Sequence, residues 1–203
     1  MNYYAVMDIG GTAIKYGLSD EEGNLIEKRS RPTLAREEGG LGIVHKAVDI
    51  VQSYQQQYDI AGVAVDTAGI VRPDEDGEII FAGEDSFPGY TGTKLGQSIR
   101  EACGVPCAVE TDVNAAALGE YWQGAARGAG SAFVMTVGTG IGGCFILNGK
   151  IWHGASFSAG EAGFMRLHGE HRIFEELASA RAMRAEAAVS HNMSLAEVSG
   201  ELV

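Results

Sequence analysis

Asp8-Ile9-Gly10-Gly11-Thr12-Ala13-Ile14-Lys15 brings a carboxylate, two glycines, a hydroxyl and an ammonium into one short stretch. The apolar run Tyr4-Ala5-Val6-Met7 leads in, and a second run, Ile14 to Leu18, leads out. The pattern describes a strand that delivers Asp8 into a turn where glycines remove side-chain bulk. Backbone N–H groups exposed by such a turn form an anion-binding concavity. Asp8 offers the hard oxygen that Mg²⁺ prefers, an ion that keeps much of its water. A β-hairpin with a Gly-Gly turn is the alternative reading of the same residues.

Other stretches carry the same chemistry. The apolar run 60–65 ends in Asp66-Thr67-Ala68-Gly69, again a carboxylate followed by small residues. Glu110-Thr111-Asp112-Val113-Asn114 opens an alanine-rich helix, where Asp112 by itself reads as an N-cap. Gly138-Thr139-Gly140 separates two apolar runs, 132–137 and 141–147, and so echoes the strand, Gly-Gly-Thr turn and strand of 4–18. Two lobes that each offer a small-residue turn would grip a polyphosphate from both sides. Ser158-Ala159-Gly160-Glu161-Ala162-Gly163-Phe164 is a further glycine-rich loop bearing a carboxylate.

The elements needed to hold these loops follow from periodicity. Residues 3–8, 13–19 and 24–31 read as an antiparallel meander of three strands. Leu41, Val44, Ala47, Val48, Val51 and Tyr54 recur at helical spacing within a helix from about 40 to 58. The continuous apolar run 60–65 reads as a strand covered on both faces. Residues 73–93 read as polar loop, with turns at Pro73–Gly77 and Phe87–Gly92. A short helix over 93–102 leads to a strand at 107–110 and a helix from there to about 123. After the glycine-rich hinge 124–130 come the strands 132–137 and 141–147, then helices over 173–189 and 194–203. The expected domains are an N-terminal α/β lobe, 1–124, and the start of a second α/β lobe, 125–203. The second lobe has about two strands, and a lone two-stranded ribbon is marginal, so it reads as incomplete or as pairing with another chain.

Composition narrows the partners. Fifteen basic against 27 acidic residues give a net charge of −12, which argues against nucleic acid or an anionic membrane surface as partner. With basic side chains so scarce, a phosphate site is expected to rely on backbone amides and a metal. The 29 glycines are about twice the number expected from an average usage of roughly 7%, and they cluster at loops. Cys103, Cys107 and Cys144 form no CxxC pair, and no signal peptide is evident, so reduced thiols in a cytoplasmic protein are expected. No apolar run approaches the ~18 residues needed to span a bilayer.

These motifs, in this order, resemble the ROK family (repressors, open reading frames, sugar kinases) of the actin-like ATPase superfamily. Asp8–Lys15 is similar to its first phosphate motif, and Gly138–Gly143 to its second. Glu110–Asn114 resembles the segment bearing its catalytic Asp, and Gly154–Glu161 its sugar-binding loop. Phe87–Gly92 resembles the loop ahead of the sugar pocket, and Glu175–Ser179 the segment after its zinc motif. The resemblance implies a two-lobed actin-like ATPase fold and ATP-dependent phosphorylation of a hexose or derivative, of the glucose, N-acetylmannosamine, fructose or β-glucoside class. It implies that Asp112 is the general base on the sugar hydroxyl and that Asp8 holds Mg²⁺ directly or through water. It implies that Gly10, Gly11, Thr12, Gly138, Thr139 and Gly140 donate to the phosphates. Lys15 is as well read as a surface or lobe-bracing lysine as a ligand. Glu161 and Glu175 would accept from sugar hydroxyls, Gly69 would let the ring approach, and Thr111 stands where an Asn beside the base is usual. A homodimer and a small-molecule sugar partner are also implied.

Departures from the family pattern set further expectations. Phe164 replaces the zinc-binding His and 164–175 contains no cysteine, so no zinc site is expected; His168 and His171 alone supply too few ligands. The pattern resembles the zinc-free branch that includes β-glucoside kinase-like proteins. Family members continue past the position of Val203 into the loop that holds adenosine, so nucleotide affinity of a 203-residue form should suffer. A truncated, inactive sugar-binding protein is therefore the alternative function. A ROK-type regulator fits less well, because only seven residues precede Asp8 and the charge is wrong for DNA.

Overall fold

The computed structural model describes residues 2–74 and 76–199. The chain divides into two compact units, Met1–Ala115 and Ala116–Val203. The division falls inside a helix, ahead of the glycine-rich stretch expected to be the hinge.

The first unit is built on a five-stranded sheet of order β3-β2-β1-β4-β7. Its strands are β1 (Tyr3–Ile9), β2 (Ala13–Ser19), β3 (Leu25–Pro32), β4 (Ile60–Thr67) and, after a small hairpin, β7 (Cys107–Thr111). The first three form the antiparallel meander read from the sequence, whereas β4 lies parallel to β1 and β7 parallel to β4. Parallel strands leave the carboxyl ends of β1, β4 and β7 on one edge, where their loops converge. Ala5, Met7 and Ile9 of β1 point into the core with Ile14 and Leu18 of β2 and Val63 and Val65 of β4.

Helix α1 (Ala35–Gln55) covers this core, with a non-helical Gly39 near its start (φ 63°, ψ −167°). Its regular portion thus begins where the sequence suggested, at Gly40. The buried face differs. Ile43, Ala47, Ile50, Val51 and Tyr54 pack inward, while Leu41 is 75% exposed. Gly40 decides the rotation: a Cβ there would come within 2.8 Å of the Tyr90 Cα, so this turn presents bare backbone to the 88–90 loop. Burying Ile43, Ile50, Val51 and Tyr54 contributes roughly 1.5–3 kcal/mol each. Helix α2 (Leu95–Cys103) adds Leu95 and Ile99 to the same core.

The segment 73–93 read as polar loop contains a strand, β6 (Glu78–Phe81), which pairs antiparallel with β5 (Ile70–Arg72) just ahead of it. Val71 and Ile79 are fully buried, and the apolar runs that hold them, Ile70-Val71 and Ile79-Ile80-Phe81, are too short to fix a strand by periodicity alone. Glu75, in the expected Pro73–Gly77 turn, lies outside the described residues.

The second unit takes most of helix α3 (Asp112–Trp122) and a sheet of order β10-β9-β8. Its strands are β8 (Ser131–Val137), β9 (Ile141–Leu147) and a two-residue β10 (Lys150–Ile151), one more than expected. The β8–β9 hairpin repeats the β1–β2 hairpin: three residues link Val137 to Ile141 as three link Ile9 to Ala13. Phe133 and Phe145 pair across the ladder with ring centroids 4.6 Å apart, on a face where Met135, Val137, Leu147 and Trp152 are also exposed.

The helix expected over 173–189 is two helices, α4 (Phe174–Ala178) and α5 (Ala180–Ser190). Ser179 breaks it: its backbone is extended and its hydroxyl accepts from the Ala182 N–H at 3.2 Å, capping α5. The helix expected over 194–203 is not formed at 194–199, and its remainder lies outside the described residues.

Candidate functional site

The parallel register of the first unit gathers its acids. Asp8 of β1 lies opposite Asp66 of β4, and Asp66 opposite Glu110 of β7. Asp112 follows directly after β7 as the first residue of α3. Burial pushes the Asp66 carboxyl up to about 7, reinforced by the charges of Asp8 and Asp112 and by a hydrogen bond with Asp8. Burial also raises Asp112, opposed by the Val113 N–H, which donates to Asp112 Oδ1 at 2.7 Å. A base held above the usual carboxylate range is a better proton acceptor at neutral pH. The Val113 bond also satisfies part of the capping role that the sequence offered for Asp112.

Lys15 Nζ donates to Asp8 Oδ2 at 2.7 Å, so these two ends of the first motif meet across the β1–β2 ladder. That bond, with the Asp8 charge, holds the Lys15 ammonium above its usual range. The turn between them is pinned from below: Gly10 N–H donates to the Ala13 carbonyl, and the buried Thr33 hydroxyl donates to the Gly10 carbonyl at 2.6 Å. Gly11 and Thr12 remain exposed. Asp8, half-buried with Asp66 beside it, has the oxygen donors that a hydrated Mg²⁺ accepts.

The loops around these acids are held by buried hydrogen bonds. Thr111 is buried; its hydroxyl donates to the Gly69 carbonyl at 3.2 Å and accepts from the Val71 N–H at 3.3 Å. Gly69 has φ 105°, and a Cβ there would sit 2.5 Å from the Phe81 carbonyl oxygen, so only glycine fits. Tyr90 is fully buried, its hydroxyl 3.1 Å from Thr67 Oγ1, and it stacks on Phe87 at 5.6 Å. The 87–92 loop is thereby tied to the carboxyl end of β4.

In the second unit the Gly138–Gly140 turn is closed by Gly138 N–H donating to the Gly140 carbonyl at 2.9 Å. Glu175 Oε2 accepts from the Ile141 N–H at 2.9 Å, and Gly138 accepts from the Ala180 N–H at 2.9 Å. Glu175, expected to meet a sugar, therefore supports the second phosphate turn with at least one of its oxygens. Glu161 precedes a 3₁₀ turn, Ala162–Phe164, which packs against β9. Among the described residues, no three His, Cys, Asp or Glu side chains are grouped to hold a metal ion. Among the described residues, no helix is long and apolar enough to cross a membrane.

Asp66 is the carboxylate of this cluster to which the sequence reading assigns no role. Its signal was present, since it ends an apolar strand before small residues as Asp8 does, but only the parallel β1–β4 pairing makes them neighbours.

Comparison with known proteins places the chain among relatives. Residues 4–199 match the ROK family. An uncharacterised protein from Clostridium perfringens is 44% identical over 203 residues, covering 100% of this chain and 67% of that protein. A beta-glucoside kinase from Listeria monocytogenes is 32% identical over 161 residues, covering 79% of this chain and 52% of the kinase. The structure of a ROK family glucokinase from Streptomyces griseus, in complex with glucose and AMPPNP, matches with a TM-score of 0.80 at 28% identity. That match covers 99% of this chain and 69% of the glucokinase chain. The chain thus spans from about half to about two-thirds of the length of these relatives.

Proposed function

This chain belongs to the ROK family, and from that premise we propose that it phosphorylates a hexose or hexose derivative with ATP as donor. The observation that carries the reading is Asp112: a carboxylate just past the carboxyl end of a parallel strand, raised in pKa by desolvation and close enough to feel the Asp8 charge. Phosphoryl transfer needs positioning, charge neutralisation and a group to take the hydroxyl proton. Asp112 is that group, its Oδ1 oriented by Val113.

Gly11 and Thr12 of the first turn and Thr139 and Gly140 of the second would present N–H and hydroxyl donors to phosphates, while the Gly10 and Gly138 N–H groups, expected to do the same, close their own turns instead. Asp8 would hold Mg²⁺, which when bound supplies neutralisation of the phosphate charge. Lys15, paired with Asp8, keeps that carboxylate oriented. Glu161 accepts from the sugar hydroxyls, and Glu175 does so with whatever capacity the Ile141 bond leaves. Thr111 contributes by fixing Gly69, whose missing side chain keeps the approach open. The names of the relatives favour glucose or a β-glucoside as substrate. The proposal extends to a homodimer acting in the cytoplasm, in keeping with three free cysteines.

A coupled ADP-release assay over a panel of hexoses with Mg·ATP tests it. Turnover is expected with at least one sugar, and Asp112→Asn is expected to lower it by about 10²–10⁴-fold with sugar binding retained. Sugar binding without turnover on any hexose sinks the reading.

A further inference from the structure

Helix α5 carries charges at the end where helices disfavour them. Arg181 lies in its first turn and Arg184 one turn on, and the first turn holds no acid to offset them. The N-terminus of an α-helix bears partial positive charge, so cations there cost free energy unless an anion is close. In a chain with 15 basic against 27 acidic residues, two arginines spaced to share a helix face concentrate scarce positive charge there, with Glu175 the anion near Arg181. Violations of local preference concentrate where function requires them.

The same arginines line a cavity of about 180 Å³ with Thr139, Ala180 and Leu195. Thr139 is the central residue of the second phosphate turn, and the Ala180 N–H is bonded to that turn through Gly138. Neither guanidinium is consumed by its known partners. Arg181 stands 3.9 Å from Glu175 Oε1, beyond hydrogen-bond length, and is 60% exposed. Arg184 donates one N–H to the Leu195 carbonyl at 3.0 Å, which orients the group and leaves further donors. The volume is below the ~300 Å³ typical of sites for drug-sized organic ligands, so it suits part of a phosphate chain better than a whole nucleotide. Planar guanidiniums match phosphate oxygens bidentately.

We propose that Arg181 and Arg184, with Thr139, form a binding site for a phosphoanhydride chain. Resting on the kinase reading for its biological role, this makes the arginines the part of the donor site that side-chain charge supplies. It adds side-chain charge to the backbone amides and metal expected from the sequence. The chemistry is common to the phosphates of a nucleotide and to inorganic polyphosphate.

Calorimetric titration of the protein with sodium tripolyphosphate, ATP and adenosine, without hexose, tests the proposal. Tripolyphosphate is expected to bind, with affinity falling as salt is raised. The R181A/R184A variant is expected to weaken it by about tenfold or more, and R181K/R184K by less, since the charge remains while the bidentate geometry is lost. Arg181→Ala alone, at an exposed position, keeps the test valid if the double variant unfolds. K28A/R29A, which removes two exposed charges from β3, is the control and is expected to change nothing. Equal binding by R181A/R184A and the unaltered protein, equal weakening by the control, or binding of adenosine without tripolyphosphate overturns the proposal. ATP binding that adenosine competes with identifies a nucleotide as the source; ATP and tripolyphosphate binding alike identifies the phosphate chain itself. A protein that binds tripolyphosphate through these arginines yet turns over no hexose would lose the kinase reading and keep this site.

Discussion

Asp66 stands directly opposite Asp8 across the parallel β1–β4 ladder, and each carboxylate lies within reach of the other's charge. Two such groups so close do not both ionise easily, which is why burial and the Asp8 charge hold Asp66 near 7. The folded state therefore binds a proton that the unfolded chain, with an ordinary Asp near 3.8, releases. This contribution to stability is full below about pH 4 and is lost as pH rises through about 7. Asp66→Asn is expected to flatten that part of the pH profile and to stabilise the protein at pH 8, by on the order of 2–4 kcal/mol. Urea denaturation at pH 4 to 8 in the absence of Mg²⁺ measures it; an unchanged slope in the variant refutes the coupling.

Glu175 and the Ile141 N–H form the bond that fixes the second phosphate turn. Glu175→Gln can still accept through its amide oxygen, so stability close to the unaltered protein is expected. Glu175→Ala leaves the N–H unmet at a cost of about 1–3 kcal/mol. Hydrogen exchange at Ile141 should accelerate only in the alanine variant. Should Gln raise the KM for sugar while exchange stays slow, Glu175 serves the sugar as well as the turn.

Lys15 and Asp8 are both substantially exposed, at 58% and 40% of their side chains. Their ion pair is expected to contribute less than about 1 kcal/mol. Lys15→Met should therefore leave Tm nearly unchanged while altering the KM for the phosphate donor. A large fall in Tm would show instead that the lysine braces the fold.

Gly40 faces the backbone of Gly89 and Tyr90 with no room for a methyl group. Gly40→Ala is expected to cost about 1–3 kcal/mol through overpacking, against its helix propensity. Gly119, on the exposed part of α3 with open space at its Cβ position, is the matched control. Gly119→Ala should be neutral or stabilising in the same denaturation experiment.

What the sequence could and could not convey follows from the range of the forces involved. The hairpin turns at 10–12 and 138–140, the strands around them and the helix from Gly40 are written in nearest-neighbour terms: apolar period, glycine and hydroxyl placement. Asp112 by local pattern reads as a helix cap, and only the order of motifs, through its resemblance to the family, marks it as the candidate base.

The rest depends on residues far apart in the chain. The inward face of α1 turns on the Pro88–Tyr90 loop, which excludes a side chain at Gly40. The break at Ser179 depends on a hydroxyl choosing the Ala182 N–H over the helix ladder. Asp66 gained its place beside Asp8 only through parallel pairing of strands some fifty residues apart, and the two arginines gained their cavity only where α5 meets Thr139. Sequence by itself determined the family, the two small-residue turns and the candidate base, because local pattern and order encode them. Tertiary structure alone decided which charges face one another, because electrostatic coupling and burial depend on distance in space rather than along the chain.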